Sequence, residues 1–168
     1  PTAGAPPAAL QPAPGRLGFY NPEPSAHLPG APPHGARHTM DTRTSPARLR
    51  INQLREAMQR HAVDAILVPS SDPHLSEYLP AHWQSREWLS GFTGSMGTLV
   101  VSRTKAALFA DSRYWTQAEA ELAGSSIVLE RIASASSPAH VEWLAREATA
   151  GQTVAVDAQV IGLAAAQK

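Results

Sequence analysis

From Pro46 onward the apolar positions fall into short blocks of two kinds, some spaced as on a helix and some contiguous as in a buried strand. Leu49, Leu54, Ala57 and Met58 recur at helical spacing between Arg48, Arg50, Arg55, Glu56 and Arg60, which predicts an amphipathic helix running to about His61. Ser45 stands at its N-cap and Pro46 at its first turn, where the missing N–H costs nothing. The run Asp64-Ala65-Ile66-Leu67-Val68, closed by Pro69, predicts a strand buried on both faces, as in a parallel sheet. The next segment, PSSDPHLSEYL, is polar and turn-rich; a short helix is predicted over Leu75 to Leu79 and a second around Trp83 to Leu89.

Then comes REWLSGFTGSMGTLVVS, Arg86 to Ser102, in which a glycine-rich bend leads into a β-branched run. Thr98 to Ser102 and Ala106 to Ala110, joined by Arg103-Thr104-Lys105, predict a hairpin. Asp111-Ser112 caps a predicted helix to about Leu122, with Tyr114, Trp115 and Ala118 inward and Gly124 as its stop. Ile127 to Ile132 predicts a strand, Pro138 to about Thr149 a helix with Val141, Leu144, Ala145 and Ala148 on its apolar face, Val154 to Val156 a strand, and Ile161 to Lys168 the start of a helix. Helices alternating with short buried strands imply an α/β fold, a three-layer α/β/α domain with a mixed, mostly parallel sheet.

Residues 1–45 hold most of the 15 prolines, with Ala, Gly and Ser between them and no apolar period. Such a stretch buries too little apolar surface to offset its ordering entropy, so a disordered tail with polyproline II character is expected there, and the domain is expected over 46–168. Met40 near its end offers two readings, a true start preceded by over-extended coding sequence, or a genuine flexible tail. Because the last predicted helix has no closing turn, the domain is expected to be truncated at its C-terminal end.

Composition narrows the function classes. The 168 residues carry a formal net charge of zero, so the electrostatic footprint of a nucleic-acid binder is missing. With no cysteine, disulfides, thiolate metal sites and cysteine nucleophiles are excluded, and a cytoplasmic address fits. No apolar run approaches the roughly 20 residues that cross a bilayer, and no membrane partner is expected.

The chemical candidates are few. Gly91, Gly94 and Gly97 are spaced like the glycines of a phosphate loop, but such loops lead from a strand into a helix N-terminus and this one leads from a helix into a strand. Ser95 lacks the Gly-x-Ser-x-Gly elbow of a nucleophile for the same reason and because Thr93 stands two positions before it. Asp72, His74, Glu77 and His82 form the only dense group of potential metal ligands, and capping of local turns is the expected use of its acids. Arg113 and Tyr114, in DSRYW, sit where a strand meets a helix; an ion pair fixing the helix start is expected, with bidentate binding of a substrate carboxylate as the alternative. Trp83, Trp88, Trp115 and Trp143 are expected in core or interface packing.

Together VPSSDPHLSEYL, REWLSGFTGSMGTLVVS and ALFADSRYWTQAEAEL resemble the creatinase N-terminal domain family, as found in Xaa-Pro aminopeptidases (aminopeptidase P) of the longer, eukaryotic type. The resemblance runs from about Pro46 to Asp157 and matches the family motifs at Asp72, His74, Glu77, Arg86, Gly91, Phe92, Gly94, Gly97, Asp111, Arg113 and Tyr114. It implies a non-catalytic unit attached to a C-terminal catalytic domain, in which two divalent metal ions, commonly manganese, activate the water that cleaves the bond before proline. No catalytic or metal-binding residue carries over onto this sequence. The resemblance further implies proline-containing peptides as substrates, a homodimer, and a wall of the substrate cleft, for which Arg86, Phe92 and Arg113 are the candidates. Two alternatives remain open: a peptide- or protein-binding pseudo-peptidase like that of a histone chaperone subunit, and another hydrolase of the creatinase and prolidase superfamily. Met96 departs from the family pattern, which has a smaller residue there.

Overall fold

A computed structural model describes residues 45–162. The expectations for the tail and for the helix from Ile161 therefore lie outside the described residues, apart from Ser45, Ile161 and Gly162. The elements in order are α1 (Pro46–Arg60), β1 (Ala65–Pro69), a single 3-10 turn (Ala81–Trp83), α2 (Ser85–Ser90), β2 (Thr98–Ser102), β3 (Ala106–Asp111), α3 (Trp115–Glu121), β4 (Val128–Ile132), α4 (Ala139–Glu147) and β5 (Val154–Val156).

The strands form one sheet in the order β4-β3-β2-β1-β5. β2 is antiparallel to both neighbours, β1 and β3, whereas β1–β5 and β3–β4 are parallel. Four strands thus run one way and β2 alone runs back, because the tight turn after Ser102 permits only an antiparallel return. Within that turn Ser102 N–H donates to Lys105 O at 2.8 Å and Lys105 N–H to Ser102 Oγ at 3.0 Å.

Alternation along β2 and β3 splits the core between two faces. Leu99, Val101, Ala106, Leu108 and Ala110 face α1, α2 and α3, packing with Ile51, Met58, Leu89, Phe92, Ala118 and Leu122. Val100, Ala107 and Phe109 face the other way, onto Trp143 and Leu144 of α4. Burying each such Leu, Val or Phe contributes about 1.5–3 kcal/mol. This is the expected α/β/α layering, with three helices on one side and one on the other.

Several local expectations are corrected. On α1 the inward stripe is Ala47, Ile51, Leu54 and Met58, whereas Leu49 is 52% exposed; the helical period was right and its phase was set by the sheet. Ser45 precedes the helix as expected, yet its side chain makes no capping bond, and its carbonyl accepts the first helical bond from Leu49 N–H. No helix forms at Leu75–Leu79. Asp72 Oδ1 accepts the backbone N–H groups of His74 and Ser76 at 3.0 and 2.9 Å, and Leu75 takes φ +54, so the chain turns instead of winding. α3 starts at Trp115 instead of Asp111, since Asp111–Tyr114 forms a turn first. In α4 the buried residues are Trp143 and Leu144, with Ala145 exposed. β1 is paired on both edges but only half covered beyond Ala65.

Gly94 shows how tightly the bend before β2 is packed. A Cβ there would lie 2.2 Å from Phe92 Cζ and 2.8 Å from Tyr114 Cδ1. Gly94→Ala is therefore expected to destabilise the fold by about 1–3 kcal/mol, the usual cost of overpacking, read as a lower urea midpoint at unchanged slope.

Candidate functional site

The bend between α2 and β2 is built around Arg86. Helix α2 begins two residues after the 3-10 turn and stops at Gly91, whose φ of +75 supplies the left-handed cap that ends it. Ser90 Oγ donates to Arg86 O at 2.8 Å and accepts from Phe92 N–H at 3.1 Å, steering the chain off the helix. Arg86, only 5% exposed, then spends its guanidinium on the bend: Nη1 donates to Phe92 O at 2.6 Å, Nη2 to Gly94 O at 2.5 Å and Nε to Ser70 Oγ at 2.8 Å. Ser70, just past β1, passes the link on by donating to Gly97 O at 2.8 Å. One cation thus fixes the end of β1, the start of α2 and both halves of the bend.

Aromatic packing and a carboxylate close the same knot. The Arg86 guanidinium lies 4.9 Å from the centre of the fully buried Phe92 ring, and Tyr114 meets Phe92 edge-on at 5.9 Å. Ser95 Oγ is paired with Tyr114 Oη at 2.7 Å, so this serine has a phenol beside it and no base. From α3, Glu121 accepts Thr93 N–H and Oγ1–H at 2.9 and 2.7 Å, with Gln117 donating to both Thr93 Oγ1 and Glu121. Burial lowers the pKa of Arg86, opposed by the charges of Glu87 and Glu121. Burial pushes the Glu121 carboxyl up, but its hydrogen bonds from Thr93 and Gln117 and the Arg86 charge outweigh that and leave it below its ordinary value.

Of the three cleft candidates, Arg86 and Phe92 are thus buried, and Arg86 is among the residues lining a hollow of about 200 Å³ beside the bend. Arg113 is different. Its Nε and Nη2 grip Asp111 Oδ1 and Oδ2 at 2.9 and 2.8 Å, the expected ion pair, yet its side chain is 63% exposed and borders a second hollow with Leu75 and Met96. The hydrogen bonds from Arg113 hold the Asp111 carboxyl below its usual range.

Asp72 is buried as the cap of the 72–76 turn, while His74, Glu77 and His82 are exposed. Among the described residues no three of His, Asp and Glu gather as metal ligands would. The tryptophans divide: Trp143 is core, Trp115 donates to Ala110 O at 2.9 Å, Trp83 is half-buried, and Trp88 is 57% exposed beneath the Arg50 guanidinium. Sequence reasoning missed Ser70, Gln117 and Glu121. The i, i+4 pairing of Gln117 and Glu121 was readable as one helix face, but only the fold sets that face against Thr93.

Two outcomes follow, one from the knot and one from the Asp72 turn. Arg86→Ala, which leaves two buried carbonyls without donors, is expected to cost about 3 kcal/mol by urea unfolding, with Arg86→Lys recovering part of it. Hydrogen bonds from Ser76 and His74 depress the Asp72 pKa in the folded state, so their stabilisation is present above the ordinary carboxylate value, near pH 3.9, and is lost as pH falls through the lower folded value. Asp72→Asn should flatten that acid limb of the stability curve.

Comparison with known proteins fits this geometry. The family model described as the Creatinase/Prolidase N-terminal domain matches residues 50–168. "Probable Xaa-Pro aminopeptidase P" of Aspergillus clavatus is 42% identical over 126 residues, 75% of this chain and 19% of its own length. Xaa-Pro aminopeptidase 2 of Rattus norvegicus is 39% identical over 138 residues, 77% of this chain and 20% of its own. The crystal structure of X-prolyl aminopeptidase from Caenorhabditis elegans, described as a cytosolic enzyme with a di-nuclear active site, superposes with a TM-score of 0.66 at 32% identity, covering 73% of this chain and 22% of that one. The chain therefore spans about a fifth of the length of these relatives. From the body of α1 through β5, the match takes in every element of the sheet and the Arg86 knot, and the chain belongs to the Creatinase/Prolidase N-terminal domain family.

Proposed function

We propose that this chain is the non-catalytic N-terminal portion of a metal-dependent Xaa-Pro aminopeptidase, which removes the N-terminal residue preceding proline. The observation that carries the reading is the identity of 39–42% with Xaa-Pro aminopeptidases across most of the chain. In this proposal residues 46–168 make up the domain, the parent protein is a cytoplasmic homodimer, and chemistry is done in a separate catalytic domain.

The described residues do not fit a metal centre, since they gather no group of three ligands. What the domain offers is a fixed surface. In this reading Arg113, exposed and with Nε and Nη2 held by Asp111, belongs to the cleft wall and offers its Nη1 side to a substrate carboxylate. Arg86 and Phe92 act from behind that wall by holding the bend in shape.

With manganese supplied, the full parent protein should release the N-terminal residue from an Xaa-Pro peptide and leave a matched Xaa-Ala peptide uncut. A chelator should abolish the activity, and the present chain alone should show none. Failure of the metal-loaded parent to cut any Xaa-Pro peptide would favour a peptide-binding pseudo-peptidase instead. Arg113→Ala in the parent should raise KM by roughly three- to tenfold with kcat little changed, the pattern of a lost uniform binding contact.

A further inference from the structure

The sequence holds three methionines, of which Met40 lies outside the described residues. The other two stand in opposite surroundings. Met58 is 3% exposed, packed into the core from the inner face of α1, whereas Met96, on the bend before β2, is 36% exposed. A thioether is oxidised only where an oxidant reaches a sulfur lone pair, so reactivity follows access. The fold shields Met58 and presents Met96.

The backbone on both sides of Met96 is fixed. Ser95 Oγ pairs with Tyr114 Oη at 2.7 Å, and Gly97 O accepts Ser70 N–H and Oγ–H at 3.1 and 2.8 Å. Gly97 is itself packed so closely that a Cβ there would lie 3.3 Å from Phe109 O. A chemical change at the Met96 side chain is therefore not relieved by shifting the bend, and it is expressed in the space that the side chain lines. That space is the second hollow, of about 320 Å³. Apart from Leu75 and Leu79 its other walls are polar, and Arg113 is the one cation among the described residues that line it.

We propose that Met96 is a reversible oxidation site that changes the chemistry of this wall. Hydrogen peroxide supplies the oxygen: the sulfur lone pair attacks one peroxide oxygen, the S–O bond forms as the O–O bond breaks, and the proton on the transferred oxygen passes to the departing hydroxide, which leaves as water. Sulfur loses an electron pair and the peroxide gains it. The product, a sulfoxide, sets a strong acceptor where an apolar group stood. Asp111 holds Nε and Nη2 of Arg113, so Nη1 is the donor left for that oxygen, which competes for it with a substrate carboxylate. The effect on substrate rests on the aminopeptidase reading; the oxidation itself does not.

The test exposes the folded, full-length parent protein to hydrogen peroxide and follows each methionine by mass spectrometry of tryptic peptides. Met96 falls in peptide 87–103 and Met58 in peptide 56–60, so an added oxygen is assigned directly. Met96 should be oxidised at least roughly tenfold faster than Met58, which reacts only when the core opens. A methionine sulfoxide reductase with a thiol should remove the oxygen, and the urea midpoint should not move, because the change lies outside the core. Oxidation should raise KM for an Xaa-Pro peptide by roughly two- to tenfold, the range of one hydrogen bond, with kcat little changed. Met96→Gln, which brings an amide carbonyl to the same place, should reproduce that rise without peroxide, and the KM of Met96→Leu should not respond to peroxide. Equal oxidation of Met96 and Met58 in the folded protein overturns the proposal, and so does a sulfoxide at Met96 that leaves KM as it was, or a peroxide-driven rise that persists in Met96→Leu. A parent oxidised selectively and reversibly at Met96 that cuts no Xaa-Pro peptide supports the oxidation site and sinks the aminopeptidase reading alone.

Discussion

A buried arginine holds this domain's most irregular segment in place. Removing a guanidinium from water is expensive, and the fold offsets that cost by giving Arg86 two backbone carbonyls, a serine hydroxyl and the face of Phe92. The same bonds supply partners for the carbonyls of a bend that has no secondary structure to satisfy them. The cost and the need cancel in one place, and that coincidence lets a glycine-rich loop lie buried against a sheet.

The reversed strand makes the knot possible. Because β2 runs against β1, its first residue, Thr98, pairs with Pro69 at the far end of β1, and the bend that feeds β2 arrives beside Ser70. Ser70 can therefore bond Gly97 through both its N–H and its hydroxyl while accepting from Arg86. A wholly parallel sheet would bring the chain in at the opposite end. The antiparallel pair thus gathers α2, the 70–80 loop and the start of α3 around one corner, where the hollow and the exposed Arg113 also lie.

Most polar groups of that corner are already paired. Its one candidate nucleophile, Ser95, is paired with a phenol, and its carboxylates are committed to caps and to Thr93 or left at the rim of a cavity. Leu75 and Tyr78, presented on a loop that Asp72 holds in a left-handed turn, belong to the same surface.

The sequence by itself determined the elements, because periodicity and turn chemistry are local. The hairpin Thr98–Ser102 to Ala106, the helix opened by Pro46 and the strand Val154–Val156 all lie where apolar spacing and turn residues put them. Motif spelling, equally local, pointed to the family. What only tertiary structure decided is which way side chains face. Leu49 has the same character as Ile51, yet the sheet took Ile51; the predicted helix at Leu75 lost to two hydrogen bonds that Asp72 makes across its own turn. Arg86 was a candidate for the cleft wall only through the family motif that it matches. Its burial depends on carbonyls six and eight residues away and on a serine sixteen residues before it, and no local pattern records that meeting.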